Sequence, residues 1–177
     1  YLCAAELMDI DAGVLFNKTD LADALPTDEL NIYRRIGYDV ECCSAIEGTG
    51  LDRVGALLED RCSIIVGQSG VGKSSVINSL IGEEVQATSA ISGKTREGRH
   101  TTVNSAMIDL PGGGVIIDSP GVRDYAPALE SSAAAALGFR EIADAAQRCR
   151  FANCQHLREP GCAVKDDVES GAISPRR

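Results

Sequence analysis

The stretch Gly67-Gln68-Ser69-Gly70-Val71-Gly72-Lys73-Ser74 fits the pattern G-x-x-x-x-G-K-[ST], which is typical of phosphate-binding loops. An apolar run at residues 64–66 precedes it and predicts a buried parallel strand. Residues 74–80 follow it, with apolar side chains at helical spacing. We therefore predict that the loop N–H groups, Lys73 and the start of the helix hold a polyphosphate, with the Ser74 hydroxyl on Mg²⁺ and Ser75 beside it. The alternative is a plain glycine-rich turn before a core helix.

A second pattern, N-K-x-D, is formed by Asn17, Lys18 and Asp20 after a short apolar run. Guanine presents two adjacent N–H donors that one carboxylate can accept together, and adenine does not, so Asp20 is predicted to select guanine. The Lys18 stem would lie along the base or ribose, and Asn17 would tie this loop to the base edge and to the phosphate-binding loop. Alone, the tetrapeptide fits equally well a helix N-cap at Thr19 or Asp20. The neighbouring phosphate loop favours guanine.

Two further elements complete a nucleotide site. Ser44 and Ala45 follow a predicted strand and match the Ser-Ala pair that donates a backbone N–H to guanine O6 in GTP-binding proteins. Asp118 ends an apolar run and opens the pattern D-x-x-G, which Gly121 closes. We predict that Asp118 acts on Mg²⁺ through water and that the Gly121 N–H bonds the γ-phosphate. Each of these short motifs is also common in proteins that bind no nucleotide. The presence of the other motifs in the same chain supports each assignment.

The polar stretch at residues 83–100 predicts a mobile loop. Thr102, just after it, is predicted to ligate Mg²⁺ and sense the γ-phosphate, unless the segment is a plain polar loop that enters a strand. Residue 122 is valine, where many GTP hydrolases have a glutamine that orients water. His100 is the nearest titratable substitute, and both a water-orienting role and a packing role stay open for it.

Near the C-terminus, three cysteines and a histidine have the spacing C-x4-C-x-H-x5-C. Three thiolates and one imidazole are the composition of a closed, structural zinc site. The alternative is three buried cysteines and a surface histidine. The predicted zinc ligands are Cys149, Cys154, His156 and Cys162.

The composition excludes some classes of function. The chain has 177 residues, a formal net charge of −9 and 44% hydrophobic residues. An acidic chain is a poor general binder of polyanions, so any RNA contact needs a local basic patch or parts of the protein outside this chain. No run of 18 or more apolar residues predicts a membrane span, and the N-terminus does not resemble a signal peptide. It also lacks an initiator methionine, and we interpret the chain as a piece of a longer protein, which we expect to be a monomer.

The order of the motifs is unusual. In ordinary GTP hydrolases the phosphate loop comes first, whereas here N-K-x-D and Ser-Ala precede it, so the order is cyclically rotated. Such permutation is feasible where the original termini are close at the surface. We predict an α/β fold, with a circularly permuted P-loop GTPase domain at residues 1–128 and a small helical zinc-binding domain at residues 129–177.

Taken together, this motif order, residues 98–102, residues 118–122 and the Cys3His cluster resemble the ribosome small-subunit-dependent GTPases of the YjeQ or RsgA type. The resemblance covers essentially the whole chain. It implies a bacterial cytoplasmic factor in late maturation of the 30S subunit and its rRNA, with hydrolysis stimulated by that subunit. The family has an N-terminal OB-fold domain, which is absent from this chain, and a C-terminal helix that is cut short here. Val103 stands where the family has a third threonine.

We therefore expect hydrolysis of GTP to GDP and phosphate, with Mg²⁺ and one structural zinc. A second hypothesis is a GTP- or GDP-gated module that binds the ribosome or RNA and hydrolyses GTP negligibly alone. A third is a zinc-stabilised RNA-binding protein with a vestigial nucleotide site, and the complete motif set argues against it.

Overall fold

The computed structural model describes residues 1–82, 106–118 and 132–176. The helices in these ranges are α1 (Leu2–Leu7), α2 (Thr27–Ile36), α3 (Leu51–Leu58), α4 (Lys73–Ile81), α5 (Ser132–Leu137), α6 (Arg140–Ala146) and α7 (Ala163–Glu169). The strands are β1 (Gly13–Phe16), β2 (Asp39–Cys42), β3 (Cys62–Ile64), β4 (Ala106–Asp109) and β5 (Val115–Asp118). None of the helices in these ranges is long and apolar enough to cross a membrane.

The chain packs as two compact units, each formed by segments that are distant in sequence. Unit 1 comprises Tyr1–Val14, Pro26–Asp39 and Ala126–Arg177, and unit 2 comprises Leu15–Leu25 and Val40–Tyr125. The predicted nucleotide-binding residues fall in unit 2, and the four predicted zinc ligands fall in unit 1. Because α1 and α2 belong to unit 1, these packing units differ from the linear division at residue 128, which stays a prediction.

Unit 2 contains a three-stranded sheet with the strand order β3-β5-β4. β3 and β5 are parallel, with Ile64 opposite Ile117, as the apolar run before the phosphate loop predicts. β4 is antiparallel to β5, with Met107 also opposite Ile117. β4 lies outside the predicted elements, because a run of three apolar residues before Asp109 is too short to identify a strand.

The core of unit 2 lies on one face of this sheet. Ile116 of β5 is completely buried and packs with Ile77 and Ile81 of α4. Each such side chain contributes about 1.5–3 kcal/mol by leaving water. On the other face, Ile64 is 47% exposed and Met107 is 70% exposed. The predicted buried strand at residues 64–66 is therefore wrong in its bounds and in its burial, because successive strand residues point to opposite faces and only one face packs on α4.

In unit 1, the Arg140 side chain joins three segments. Its Nε donates to Glu6 Oε1 at 2.8 Å, and its Nη1 donates to the Gly37 carbonyl at 2.9 Å. The guanidinium also lies 4.2 Å from the centre of the Tyr38 ring. Hydrogen bonding to Arg140 lowers the pKa of Glu6. These contacts hold α1, the end of α2 and the start of α6 together.

Candidate functional site

The phosphate-binding loop runs from the end of β3 to the first turn of α4 and has glycines where the backbone requires them. Gly70 and Gly72 have φ angles of 82° and 92°, in the left-handed region that favours glycine. A Cβ built on Gly72 would also overlap Asn17 Nδ2. At residue 72, both the backbone conformation and the available space therefore exclude a side chain.

The carbonyl groups of this loop face cations, while its N–H groups stay open. Lys73 Nζ donates to the carbonyl oxygens of Gly67 and Gln68, both at 2.8 Å. Among the described residues, the N–H groups of residues 68–74 have no hydrogen-bond acceptor. A row of open N–H groups at the start of a helix attracts an anion, because the N–H dipoles and the helix dipole act in the same direction. These open N–H groups therefore suit an anion, which is compatible with the predicted phosphate-binding role.

The Asn17 side chain joins the phosphate loop to the Ser-Ala segment. Asn17 Nδ2 donates to the Val71 carbonyl at 3.0 Å, and Asn17 Oδ1 accepts from the Ala45 N–H at 3.1 Å. Next to it, Lys18 has a φ of 69°, which is rare for a residue other than glycine. Its ammonium donates to the Gly70 carbonyl at 2.6 Å. Strained residues of this kind persist where the surrounding contacts fix them, and they cluster at binding sites.

Asp20 and Ser44 are hydrogen-bonded to each other. Ser44 Oγ donates to Asp20 Oδ1 at 2.5 Å and accepts the Glu47 N–H at 3.2 Å, and Ser44 is completely buried. Asp20 keeps acceptor capacity for a ligand, because an ionised carboxylate has about four lone-pair positions. The N-cap alternative is not supported: the 3-10 turn Thr19–Leu21 begins after Lys18 and has no side-chain cap.

A small buried cluster lies beneath these loops. It contains Cys43, Val54 and Val76, which come from the end of β2, α3 and α4. The Cys43 N–H donates to the Phe16 carbonyl at 2.9 Å, and the Thr19 N–H donates to the Cys43 carbonyl at 3.2 Å. Backbone bonds and a shared core therefore fix the N-K-x-D segment and the Ser-Ala segment together.

The predicted Mg²⁺ ligands are only partly described. Ser74 lies exposed in the first turn of α4. Asp118 is the last residue of β5, and because β5 runs parallel to β3, its backbone lies at the sheet edge where the phosphate loop begins. Hydroxyl and carboxylate oxygens suit Mg²⁺, which prefers hard ligands. His100, Thr102, Gly121 and Val122 lie outside the described residues, so their roles stay predictions.

In unit 1, the four predicted zinc ligands converge. Their ligand atoms all lie within 4.8 Å of one another. His156 Nδ1 is 3.7 Å from Cys149 Sγ and 3.5 Å from Cys162 Sγ. Ordinary Zn–S and Zn–N bonds at tetrahedral angles place sulphur and nitrogen about 3.6 Å apart. Both the donor set and its spacing fit zinc, and four protein ligands would leave no open coordination position for a catalytic water.

The surroundings of two of the thiols shift their pKa values in opposite directions. Burial raises the pKa of Cys149, but the N–H groups of Val164 and Ala163 point at its sulphur and lower that pKa overall. Burial raises the pKa of Cys154 to about 11. Because a metal binds the thiolate form, metal affinity at this site should rise with pH as these thiols lose their protons.

Glu159 fixes the loop that carries two of these ligands. Its carboxylate accepts the N–H groups of Gln155, Leu157 and Arg158 at 3.2, 3.0 and 2.9 Å. Hydrogen bonds from backbone N–H groups of this segment lower the pKa of Glu159 to about 2. Sequence analysis does not identify this residue, because a glutamate between metal ligands has no distinctive pattern.

Comparison with known proteins gives the family context. The profile of the RsgA GTPase family matches residues 1–127. A protein of Marinobacter nauticus named small ribosomal subunit biogenesis GTPase RsgA is 43% identical over 183 residues, which cover 100% of this chain and 52% of that protein. Its namesake in Mannheimia succiniciproducens is 43% identical over 185 residues and is covered to 51%. The chain thus spans about half the length of these relatives.

Solved structures agree with these relatives. The crystal structure of YjeQ from Thermotoga maritima matches 99% of this chain with a TM-score of 0.75 and 28% identity, and 59% of that chain is covered. The crystal structure of YloQ, described as a circularly permuted GTPase, matches 99% of this chain with a TM-score of 0.75 and 27% identity, and 56% of that chain is covered. The mixed α/β fold therefore has GTPase neighbours.

Proposed function

This chain belongs to the RsgA GTPase family, and on that premise we propose that it binds GTP and GDP and hydrolyses GTP to GDP and phosphate. One observation carries the proposal. Three motifs that are distant in sequence, N-K-x-D, Ser-Ala and the phosphate loop, are joined through the two ends of the Asn17 amide. A chance set of short motifs would not be expected to converge on one side chain. The convergence supports one site that reads both a base and its phosphates.

The residues divide the work of binding. The Asp20 carboxylate accepts hydrogen bonds from the two adjacent N–H donors of guanine. The open N–H groups of residues 68–74 bind phosphate oxygens. The Lys73 ammonium, which now contacts two loop carbonyls, is within the loop that would surround the β- and γ-phosphates. Ser74, with Thr102 and Asp118, would hold Mg²⁺, which when bound neutralises charge on the phosphate oxygens.

Hydrolysis is water attack in line with the bond between the γ-phosphorus and the leaving oxygen of GDP. Holding GTP in one orientation removes much of the entropic barrier to this attack. Val122 cannot orient the water by hydrogen bonding, so we expect slow turnover by the chain alone. His100 is proposed to accept a hydrogen bond from that water once a partner orders the loop.

We further propose that the zinc ligands hold one structural Zn²⁺ and that the chain has the rotated order of a permuted GTPase followed by a zinc domain. Four converged donors at zinc spacing support the first part, and the motif order supports the second. The ion would cross-link the segment between residues 149 and 162. It supplies no chemistry to hydrolysis in this proposal.

The relatives are named for biogenesis of the small ribosomal subunit. We propose by that similarity that the whole protein acts in maturation of the 30S subunit and its rRNA, as a monomer in the cytoplasm. Because this chain covers about half of those relatives, its own contribution to subunit binding has to be measured separately.

The experiment is GTP turnover by the 177-residue chain, with and without 30S subunits, beside a Lys73→Ala variant that lacks the phosphate-binding ammonium. We expect GDP binding by the unaltered chain, slow turnover alone and faster turnover with subunits. The Lys73→Ala variant should lose GTP turnover both with and without 30S subunits. Tight GDP binding without turnover under either condition would instead indicate a nucleotide-gated binding module.

A further inference from the structure

The backbone donors of the segment at residues 44–46 are not equally available. The Ser44 N–H donates to the Thr49 carbonyl at 3.0 Å, and the Ala45 N–H donates to Asn17 Oδ1 at 3.1 Å. The Ile46 N–H has no acceptor within residues 1–82, 106–118 and 132–176, and Ile46 is 80% exposed. Both N–H groups of the Ser-Ala pair are thus engaged within the protein. The donor left for a ligand belongs to the next residue.

One side chain fixes the peptide group that carries this donor. Ser79 Oγ on α4 lies 2.9 Å from the Ala45 carbonyl oxygen and 2.8 Å from the Ser75 carbonyl oxygen. The contact with Ser75, four residues earlier, is one that a helical serine can make locally. The contact with Ala45 joins residues 34 positions apart. Because the hydroxyl has one hydrogen, it shares or alternates between them.

Peptide planarity converts this contact into an orientation of the donor. The Ala45 carbonyl and the Ile46 N–H belong to one planar, trans peptide group, so they point in opposite directions. A hydrogen bond to the carbonyl therefore restricts where the N–H points. The same helix begins at the phosphate loop, and Ser79 is six residues, or about 9 Å, beyond Lys73 along its axis.

We propose that Ser79 is a positioning residue for guanine recognition: by holding the Ala45 carbonyl, it directs the Ile46 N–H toward O6 of the base. The inference rests on the proposed function and specifies which backbone donor reads O6. It differs from the expectation that Ser44 or Ala45 supplies that donor. It also makes α4 a direct connection between the phosphate site and the base site.

The test measures binding of GDP and 6-thio-GDP to the 177-residue chain and to its Ser79→Ala, Ser79→Thr and Asn78→Ala variants. 6-Thio-GDP keeps both donors that face Asp20 but replaces O6 by sulphur, which is a weaker acceptor. Ser79→Ala should weaken GDP binding roughly fivefold and 6-thio-GDP binding much less, so that the preference between them falls. Ser79→Thr keeps the hydroxyl and should restore the preference. Asn78→Ala, an exposed neighbour on α4, should leave it unchanged.

Two results would overturn the inference. An equal loss of both ligands in Ser79→Ala would mean that Ser79 only supports the fold. Unchanged GDP binding would mean that its contact with Ala45 is unnecessary. ADP binding distinguishes a failure of the Ser79 inference from a failure of the proposed function. If the unaltered chain binds ADP as tightly as GDP, the proposed function itself fails, whatever the Ser79 variants show. Alanine has the higher helix propensity, so the Ser79→Ala helix should remain intact.

Discussion

Gly72→Ala tests whether the contact between the phosphate loop and Asn17 matters for nucleotide binding. An alanine at this position meets two penalties. Its φ of 92° costs an L-residue roughly 1–2 kcal/mol, and its Cβ overlaps Asn17 Nδ2, so the amide must move. Moving it breaks the hydrogen bonds to Val71 and Ala45, each with a net contribution of about 1 kcal/mol.

These penalties act on different measurements. The backbone strain is present with and without ligand, so it lowers the free energy of unfolding but not the affinity. The Asn17 contacts are also present without ligand, so their loss lowers the free energy of unfolding by a further amount of about 2 kcal/mol. It weakens GDP binding through the base loop, which then leaves its binding conformation and has to be restored by the ligand, so the affinity should fall by at most roughly 30-fold. Both are measurable, the first by urea unfolding and the second by titration with a fluorescent GDP analogue.

Gly82→Ala is the matched control. Gly82 ends α4 with a φ of 74°, and a Cβ built on it meets no atom of the described residues within 4 Å. With a ψ of 166°, Gly82 lies in a region that is essentially restricted to glycine, so the alanine variant should also lose stability through backbone strain, while its GDP binding stays within about twofold. If the two variants bind GDP equally well, the Asn17 contact has no part in the site and the reasoning above is wrong.

Three other predictions concern zinc and hydrolysis. The purified chain should contain about one zinc per molecule. Cys154→Ser should unfold the segment after residue 140, which hydrogen exchange would show as a loss of protection, while GDP still binds. Nucleotide binding that disappears together with zinc would contradict this prediction. Glu159→Gln should speed zinc release to a chelator about tenfold, since a neutral amide replaces a carboxylate that accepts three N–H groups, whereas Glu169→Gln at the end of α7 should not. His100→Ala should leave GTP affinity nearly intact and reduce 30S-stimulated turnover by at least ~100-fold; unchanged turnover would assign His100 a structural role.

Much of the binding site follows from residue types and spacing, because each element depends on short-range chemistry. Open N–H groups need glycines and a following helix, and a zinc site needs four soft donors close together. The phosphate loop before α4 and the convergence of Cys149 with His156 agree with that reasoning.

Other features depend on contacts between distant segments. In the sequence, Ser79 is only a serine within a predicted helix, and its contact with the Ala45 carbonyl is not evident. The sequence also does not show that the N–H groups of Ser44 and Ala45 donate to acceptors within the protein. The exposure of Ile64 depends on which face of the sheet meets α4. The grouping of α1 and α2 with the C-terminal segment likewise depends on Arg140 contacts that no local pattern specifies.

The central claim is that Asp20 makes this a guanine-nucleotide site, and a ligand exchange tests it most directly. Xanthine has an acceptor at the position where guanine has its second donor, so a carboxamide suits it better than a carboxylate. Calorimetric titration of the unaltered chain and of Asp20→Asn with GDP and XDP gives four affinities. We predict that GDP binds tightly only to the unaltered chain and that XDP competes only in the variant. GDP affinity that is the same in both proteins would contradict the account.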